Sequence, residues 1–548
     1  MSIKGRSRIV AVLTAVIMAF VSLSVTGVCA ASVDYPAQLV RITAYDGKNV
    51  NISSTKDGST INAWASNGDQ NENWRLDYKN GLFKIVNQGT GMVLTPRNGE
   101  TADGTRCIIS GDQSKNYQYW KIEAVSNDSL GMGLTYKITN YMDTSKALSY
   151  NPNNNSFVLL PYSGSKLQKF YLNTAGLEGF AGYVKDMNGK EKASITGGLL
   201  GETVEVSTFD QLKAACSDAA PRTIVITKDI SKTGSYTKDG NGRYRFNDAR
   251  IFIYPNKTII GSYNAHSLYN VYFRTYEGGY GQGKNIIIRN IEISHDKELN
   301  NDNVWDFSYG TNFWIDHCTF VGHSAPNTAS TGQVDWDKFL TFSGTTDYAT
   351  ISGCKFGLHE YGILMGYPAD TQDTYNTYNG KPCITLADNY FKDCITRAPG
   401  LMRYGYFHSL NNYVNNFDMG YTIYTASKLY AENCYYDGGS HKGSVVNDRT
   451  SNDDISSKYP GAYTESGSTL VNSKFSLSAS YAKSCTWRPS SNYSYKSMSA
   501  NEAKSFCTSY SGAQTSRNKM TYAAYAGTGV PSASYITAGS SSSSSSSS

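Results

Sequence analysis

The sequence predicts an all-β chain in two modules: a threefold-repeated globule over residues 31–174, then a parallel β-helix over 175–530. Three observations carry this reading. The triplets Glu72-Asn73-Trp74, Gln118-Tyr119-Trp120 and Gln168-Lys169-Phe170 recur at spacings of 46 and 50 residues. Each closes a stretch of short apolar runs broken by Gly, Asn and Asp, the pattern of strands joined by tight turns. From 285 onward seven segments share a second shape, and no long helical period runs between them.

Before either module, Lys4, Arg6 and Arg8 precede an apolar run from Ile9 to about Val28, with Ala30 and Ala31 after it. This is the order of a secretory signal, removed at about residue 30, so the mature chain is expected outside the cell and free of the membrane. No other segment is apolar for long enough to span a bilayer. Nine of the ten cysteines follow the signal. An odd number leaves at least one thiol unpaired, and the spacings contain no C-x-x-C pair of the kind that holds structural zinc.

The bulk composition narrows the partners. The formal net charge is +5 in 548 residues and the mean hydropathy is −0.42, with no long basic run. That argues against a nucleic-acid surface and gives a mild preference for an acidic partner. The 43 tyrosines suit sugar contacts, in which a ring packs on C–H faces while the hydroxyl stays wet. Tyrosine is equally a good sheet residue.

The first module's repeat resembles a β-trefoil of the ricin B-type lectin family, in which Gln-x-Trp closes each unit. The resemblance implies a carbohydrate-binding module. The family's early pocket Asp falls on Asn51, Thr95 and Ser149, none of them a carboxylate, so weakened pockets are expected.

In the second module the segments are 285–294 (NIIIRNIEIS), 312–322, 348–357, 383–393, 406–417, 429–438 and 469–477. Alternating apolar residues run into a small or polar pair, and a second short apolar run follows. Units of this kind stack and share one core. Alignment puts Ile291, Cys318, Cys354, Asn389, Asn412, Cys434 and Ser473 in one column, each about one strand spacing above the last. Asn389 over Asn412 is expected to form an amide ladder. Cys318 and Cys354 are either stacked buried thiols, the favoured reading, or a disulfide. The tail over 531–548 ends in unbroken serine and is expected to be a disordered linker.

At Trp314-Ile315-Asp316-His317 the second module resembles the extracellular pectate and pectin lyase family (polysaccharide lyase family 1), whose fold is a right-handed parallel β-helix. The resemblance covers about 350 residues. It includes Gly179-Phe180-Ala181, Thr196-Gly197-Gly198, the run 256–261, and Arg397-Ala398-Pro399-Gly400-Leu401-Met402-Arg403 followed by His408, Asn411 and Asn412. It implies a secreted pectate lyase that cleaves α-1,4-linked polygalacturonate by β-elimination, assisted by calcium. It makes Arg397 the base and Arg403 a contact for a substrate carboxylate. One extra residue separates the two arginines relative to the family's pattern. Asp302, Asp335 and Asp337 are the candidate calcium ligands, although two usual family positions carry Thr341 and Tyr361. Trp336, Lys338 and Tyr361 are candidate substrate contacts. Asp316 and His317 are read as structural links between coils.

Three alternatives stay open. A calcium-independent pectin lyase acting on methylated pectin suits the loss of an acid at Thr341 and of a cation at Tyr361. A non-catalytic wall-binding protein would use both modules only to hold glycans, including cell-wall glycans other than pectin. A hydrolase would need paired carboxylates, for which Asp453-Asp454 is the nearest candidate. A monomer is expected.

Overall fold

A computed structural model of the chain describes residues 33–125, 134–234, 237–238, 244–245, 247–275, 283–295, 304–322, 338–451 and 453–520. The expected signal segment, the serine tail and the candidates Asp302, Asp335, Trp336 and Asp337 lie outside them. Among the described residues no helix is long and apolar enough to cross a membrane.

The chain from 40 to 174 forms a twelve-stranded antiparallel sheet system that closes on itself where Val40–Thr43 pairs with Tyr171–Thr174. The three repeated triplets occupy equivalent places. Gln118 accepts from the Gln113 backbone and donates to the Gly111 carbonyl, while Gln168 does the same with Ser163 and Pro161. Glu72, lacking a donor, instead collects the Asn67 and Gly68 amides. Trp74 and Trp120 are fully buried and donate to the carbonyls of Val50 and Leu94. Asn51, Thr95 and Ser149 are all buried. Gln118 and Gln168 reach Thr95 and Ser149, so those positions are filled from within.

From Glu202 onward the chain winds into stacked coils. An eleven-stranded parallel sheet runs from Glu202–Val206 to Lys483–Ser484, and a sixteen-stranded parallel assembly supplies the other walls. The long strand Lys355–Met365 belongs to both halves of that assembly, pairing with Thr319–Gly322 at one end and Lys338–Phe342 at the other. Each repeated segment is two strands meeting at a two-residue corner. The first corner residue is left-handed: Asn290, His317, Gly353, Asp388, Asn411, Asn433 and Gly467 have φ between 46° and 70°. Gly, Asn and Asp tolerate that region best, which is why they crowd these corners.

The second corner residue builds the column. The Cys318 amide meets Cys354 Sγ at 3.4 Å, the Cys354 amide donates to Asn389 Oδ1, and the Asn389 amide and side chain both donate to Asn412 Oδ1. All nine described cysteines are free and buried, so Cys318 and Cys354 are stacked thiols. The column's last member is Ser468, which accepts from the Cys434 amide, and not Ser473. The corner glycine Gly467 marks the turn, and Thr469–Val471 is the strand after it. Inside the coils one row passes from Ile224 through Ile259, Ile288, Ile315 and Ile351 to Leu386.

The outer face of the eleven-stranded sheet carries threonines that receive a strap from the module junction. Gly198, Ala181 and Phe180 amides donate to Thr258, Thr350 and Thr385 hydroxyls. A Cβ at Gly198 would stand 1.8 Å from the Arg222 carbonyl, so the strap cannot lie this close with a larger residue. Gln38 ties the first module to this strap and sheet through Thr196 and Thr258. Asp316 is the buried anion of the same region. It accepts from Arg289 Nε at 3.0 Å and Ser352 Oγ at 2.9 Å, and lies 2.9 Å from His317 Nδ1, while Arg289 also donates to the Ala37 carbonyl.

Two residues make this junction testable. Removing one partner of a buried ion pair leaves the other charge unmatched, so Asp316→Ala should cost about 3–5 kcal/mol in a denaturant titration; a loss below about 1 kcal/mol would contradict the structure. Burial pushes the Glu178 carboxyl up to about 7. The folded chain then keeps a proton that the unfolded chain has released, so stability falls as pH rises from the ordinary glutamate value through 7. Glu178→Gln should make the fall in Tm between pH 5 and 7.5 shallower; an unchanged slope would show that Glu178 does not set it.

Candidate active site

Arg397 lies in the strand Cys394–Met402, but not in regular register. Thr396 faces Tyr361 and Gly400 faces Ile363, so four steps on this strand oppose two on its neighbour. On the other side Thr396 faces Met419 and Leu401 faces Thr422, five steps against three. The stretch 397–399 is therefore a bulge against both neighbours, and Arg397 sits in it with φ +59°. A left-handed backbone is uncommon for a residue with a long side chain, and bulges re-aim side chains next to functional sites. The sequence's extra residue needs no displacement downstream, because pairing resumes at Gly400, Leu401 and Met402.

The neighbour Gly362 makes room for this bulge. A Cβ there would stand 2.2 Å from the Arg397 carbonyl and 3.3 Å from Cys394 Sγ. Tyr361 beside it presents its ring to two cations. Arg397 Cζ is 4.6 Å from the ring centroid and Lys338 Nζ 5.6 Å, both within cation–π reach. Lys338 and Tyr361 are directly paired on adjacent strands. The fold thus gathers Lys338, Tyr361 and Arg397 into one cluster.

Arg403 forms a second cluster. Its Nε donates to Asp370 Oδ2 at 2.8 Å and its guanidinium lies 4.0 Å from the Tyr424 centroid. Asp370 also accepts from the Thr425 hydroxyl. The Arg403 side chain is 10% exposed, and its charge is matched inside the protein. Gly362, Asp370 and Tyr424 escape a reading of the sequence alone. For Gly362 a signal exists, since a glycine inside a strand marks a close backbone approach.

Thr341, at the usual family position of an acid, is buried between Asp306 and Leu364 in the strand register, and its Oγ1 has no partner among the described residues. Asp306 already accepts from Ser308. No group of three His, Cys, Asp or Glu among the described residues could hold a metal ion. These residues do not by themselves make a calcium cage, and the three aspartates expected to do so lie outside them. Asp453 is structural, because its side chain caps the helix Asp454–Lys458 by accepting from the Ser456 amide.

Residues 170–516 match the family model described as pectate lyase, and residues 40–110 and 70–157 match that of a ricin-type β-trefoil lectin-like domain. A pectin lyase of Bacillus subtilis is 38% identical over 63% of this chain and 89% of its own length. A probable pectate lyase B of Aspergillus terreus is 30% identical over 41% of this chain and 60% of its own length. The crystal structure of a Bacillus sp. N165 pectate lyase in complex with trigalacturonate is 25% identical, with a TM-score of 0.47 over 62% of this chain and 98% of that one.

Gly362→Ala should drive the Arg397 carbonyl from its place. A shift of roughly 1 Å at a reacting group costs on the order of 10²-fold in rate. The expected result is that loss in kcat/KM with a stability change of only about 1–3 kcal/mol, read by comparing turnover with thermal melting. Wild-type turnover in a folded variant would show that the bulge is not needed.

Proposed function

We propose that this chain, which belongs to the pectate lyase family, cleaves the α-1,4-linked galacturonate backbone of pectin by β-elimination, with Arg397 as the base. The observation that carries this is the isolated bulge that holds Arg397 over Tyr361 beside Lys338. In the reaction the base removes the C5 proton next to the carboxyl group. The electron pair forms the C4=C5 double bond as the C4–O bond breaks, and the leaving sugar oxygen takes up a proton. A base must first be neutral, and a neighbouring cation disfavours the charged form of an arginine. Lys338, sharing the Tyr361 ring, is placed to act in that direction and to attract the substrate's carboxylate.

The carbanion forms only if the carboxyl group's charge is offset. Lys338 is the described cation in the cluster that can offset it, and Arg403 is proposed as a second contact although Asp370 already pairs with it. Calcium held by Asp302, Asp335 and Asp337 would supply further positive charge in the pectate reading. Trp336 and Tyr361 are proposed sugar contacts.

A second reading concerns esterification. Tyr361 puts an aromatic ring where a cation is usual, and the 38% identical relative is named a pectin lyase. A methyl ester needs no metal to cancel its charge. The signal segment supports action outside the cell in either case, and the trefoil is proposed to hold wall glycans.

Polygalacturonate and methylated pectin, each with calcium and with a chelator, separate the readings by ultraviolet absorbance of the unsaturated product. Absorbance on polygalacturonate that disappears with chelator supports the calcium-assisted pectate lyase. Absorbance on methylated pectin that survives chelation supports the second reading. New reducing ends without absorbance would refute β-elimination. Arg397→Ala should lower kcat by about 10²–10⁴-fold.

A further inference from the structure

We propose that the cleft between the trefoil and the coil stack is a second binding site, for a short anionic oligosaccharide. This cleft has a volume of about 850 Å³, within the range of pockets that enclose a small ligand. It opens against the junction strap and the outer side of the eleven-stranded sheet, whereas Arg397 belongs to a strand of the other assembly.

The trefoil wall is a fixed polar relay. Asn173 Nδ2 donates to Thr43 Oγ1 at 2.9 Å, Thr43 Oγ1 donates to Asn49 Oδ1 at 2.7 Å, and Asn49 Nδ2 donates to Glu72 Oε2 at 3.1 Å. Asn173 lines the cleft, yet its buried Oδ1 has no partner among the described residues. A buried acceptor left unmade costs about 1–3 kcal/mol, and a sugar hydroxyl is the donor that would fill it.

The opposite wall is braced by tyrosines held in place. Tyr493 hydroxyl is 2.7 Å from both Thr385 Oγ1 and His408 Nδ1, and His408 Nε2 is 2.8 Å from Glu432. Burial lowers the affinity of His408 for a proton despite that carboxylate. Tyr171 and Tyr183 meet edge to face at 4.9 Å on the same lining. Tyr183 and Tyr495, partly exposed on this lining, offer ring faces to a sugar, with Tyr171 and Tyr493 buried behind them.

Charge decides the class of sugar. Lys185 and Lys496 line the cleft and are exposed; of the acids beside it, Glu178 is largely protonated below neutral pH, and Glu191 lies behind the lining, paired opposite Lys185 and accepting from the Tyr171 hydroxyl. Arg41 is on the same lining, 4.0 Å from buried Glu72. The excess is positive and favours a carboxylate-bearing ligand. That the acidic sugar is a galacturonate rests on the lyase reading; the preference for an anionic sugar does not.

Hydrogen exchange on the full-length Arg397→Ala chain, in which turnover is slowed, tests this with trigalacturonate and with neutral maltotriose as probes. Trigalacturonate should protect amides in 182–185 and 490–496, and maltotriose should not. Lys185→Glu with Lys496→Glu should weaken that protection at least tenfold in trigalacturonate concentration, with Tm unchanged. No protection of these segments, equal protection by maltotriose, or protection that resists the charge reversal would each overturn the proposal. If the double variant does not fold, loss of protection at raised salt in the Arg397→Ala chain replaces it, since exposed charges are screened, and salt-independent protection overturns the proposal. Absence of unsaturated product from the wild-type chain would instead remove the lyase reading and leave this result standing.

Discussion

Everything in the second module depends on one constraint: each coil must return to the same corner one strand spacing above the last. A parallel stack has no hairpins to fix its register, so the corners do it. Left-handed residues from Asn290 to Gly467 turn the chain, and the residue after each one passes a hydrogen bond to the next coil. Once the corners are fixed, the aliphatic row from Ile224 to Leu386 falls into line, and apolar burial supplies the driving force.

The catalytic proposal is a local exception permitted by that regularity. A bulge of two extra residues can be inserted at 397–399 only because the strands on both sides stay paired above and below it. Gly362 gives up its side chain to admit the Arg397 carbonyl. The cost of the left-handed Arg397 is borne by the surrounding coils. The same logic links the modules: a glycine-bearing strap lies on threonine hydroxyls, and Arg289, paired with Asp316, holds the Ala37 carbonyl where the chain enters the trefoil.

Much of this is legible in the residues. The repeated triplets and the two-strand segments expose both architectures, because period survives even when individual identities drift. The Asn389–Asn412 ladder and the structural roles of Asp316 and His317 are readable for the same reason. Alignment by apolar runs misplaces the last coil at Ser473, because the run around Leu470 does not reveal that Gly467 is its corner. The strands of the wall that carries Arg397 escape as a group: Tyr272–Arg274 and Trp305–Asp306 are too short to show a period. Arg397 itself stands out through its family resemblance. Its surroundings do not, because Lys338 and Gly362 reach their places through lateral strand pairing and Asp370 reaches Arg403 by a side-chain hydrogen bond from outside the strands, which no local pattern records.

Arg397, held in the bulge, is the proposed proton acceptor, and the pH dependence of kcat/KM in Arg397→Lys probes that role without an intermediary. Lysine releases its proton about two or more pH units below arginine. The ascending limb of the profile, on which the base loses its proton, should therefore move to lower pH by about that interval, with reduced but measurable formation of unsaturated product. A limb in the wild-type position, at wild-type rate, would contradict the assignment.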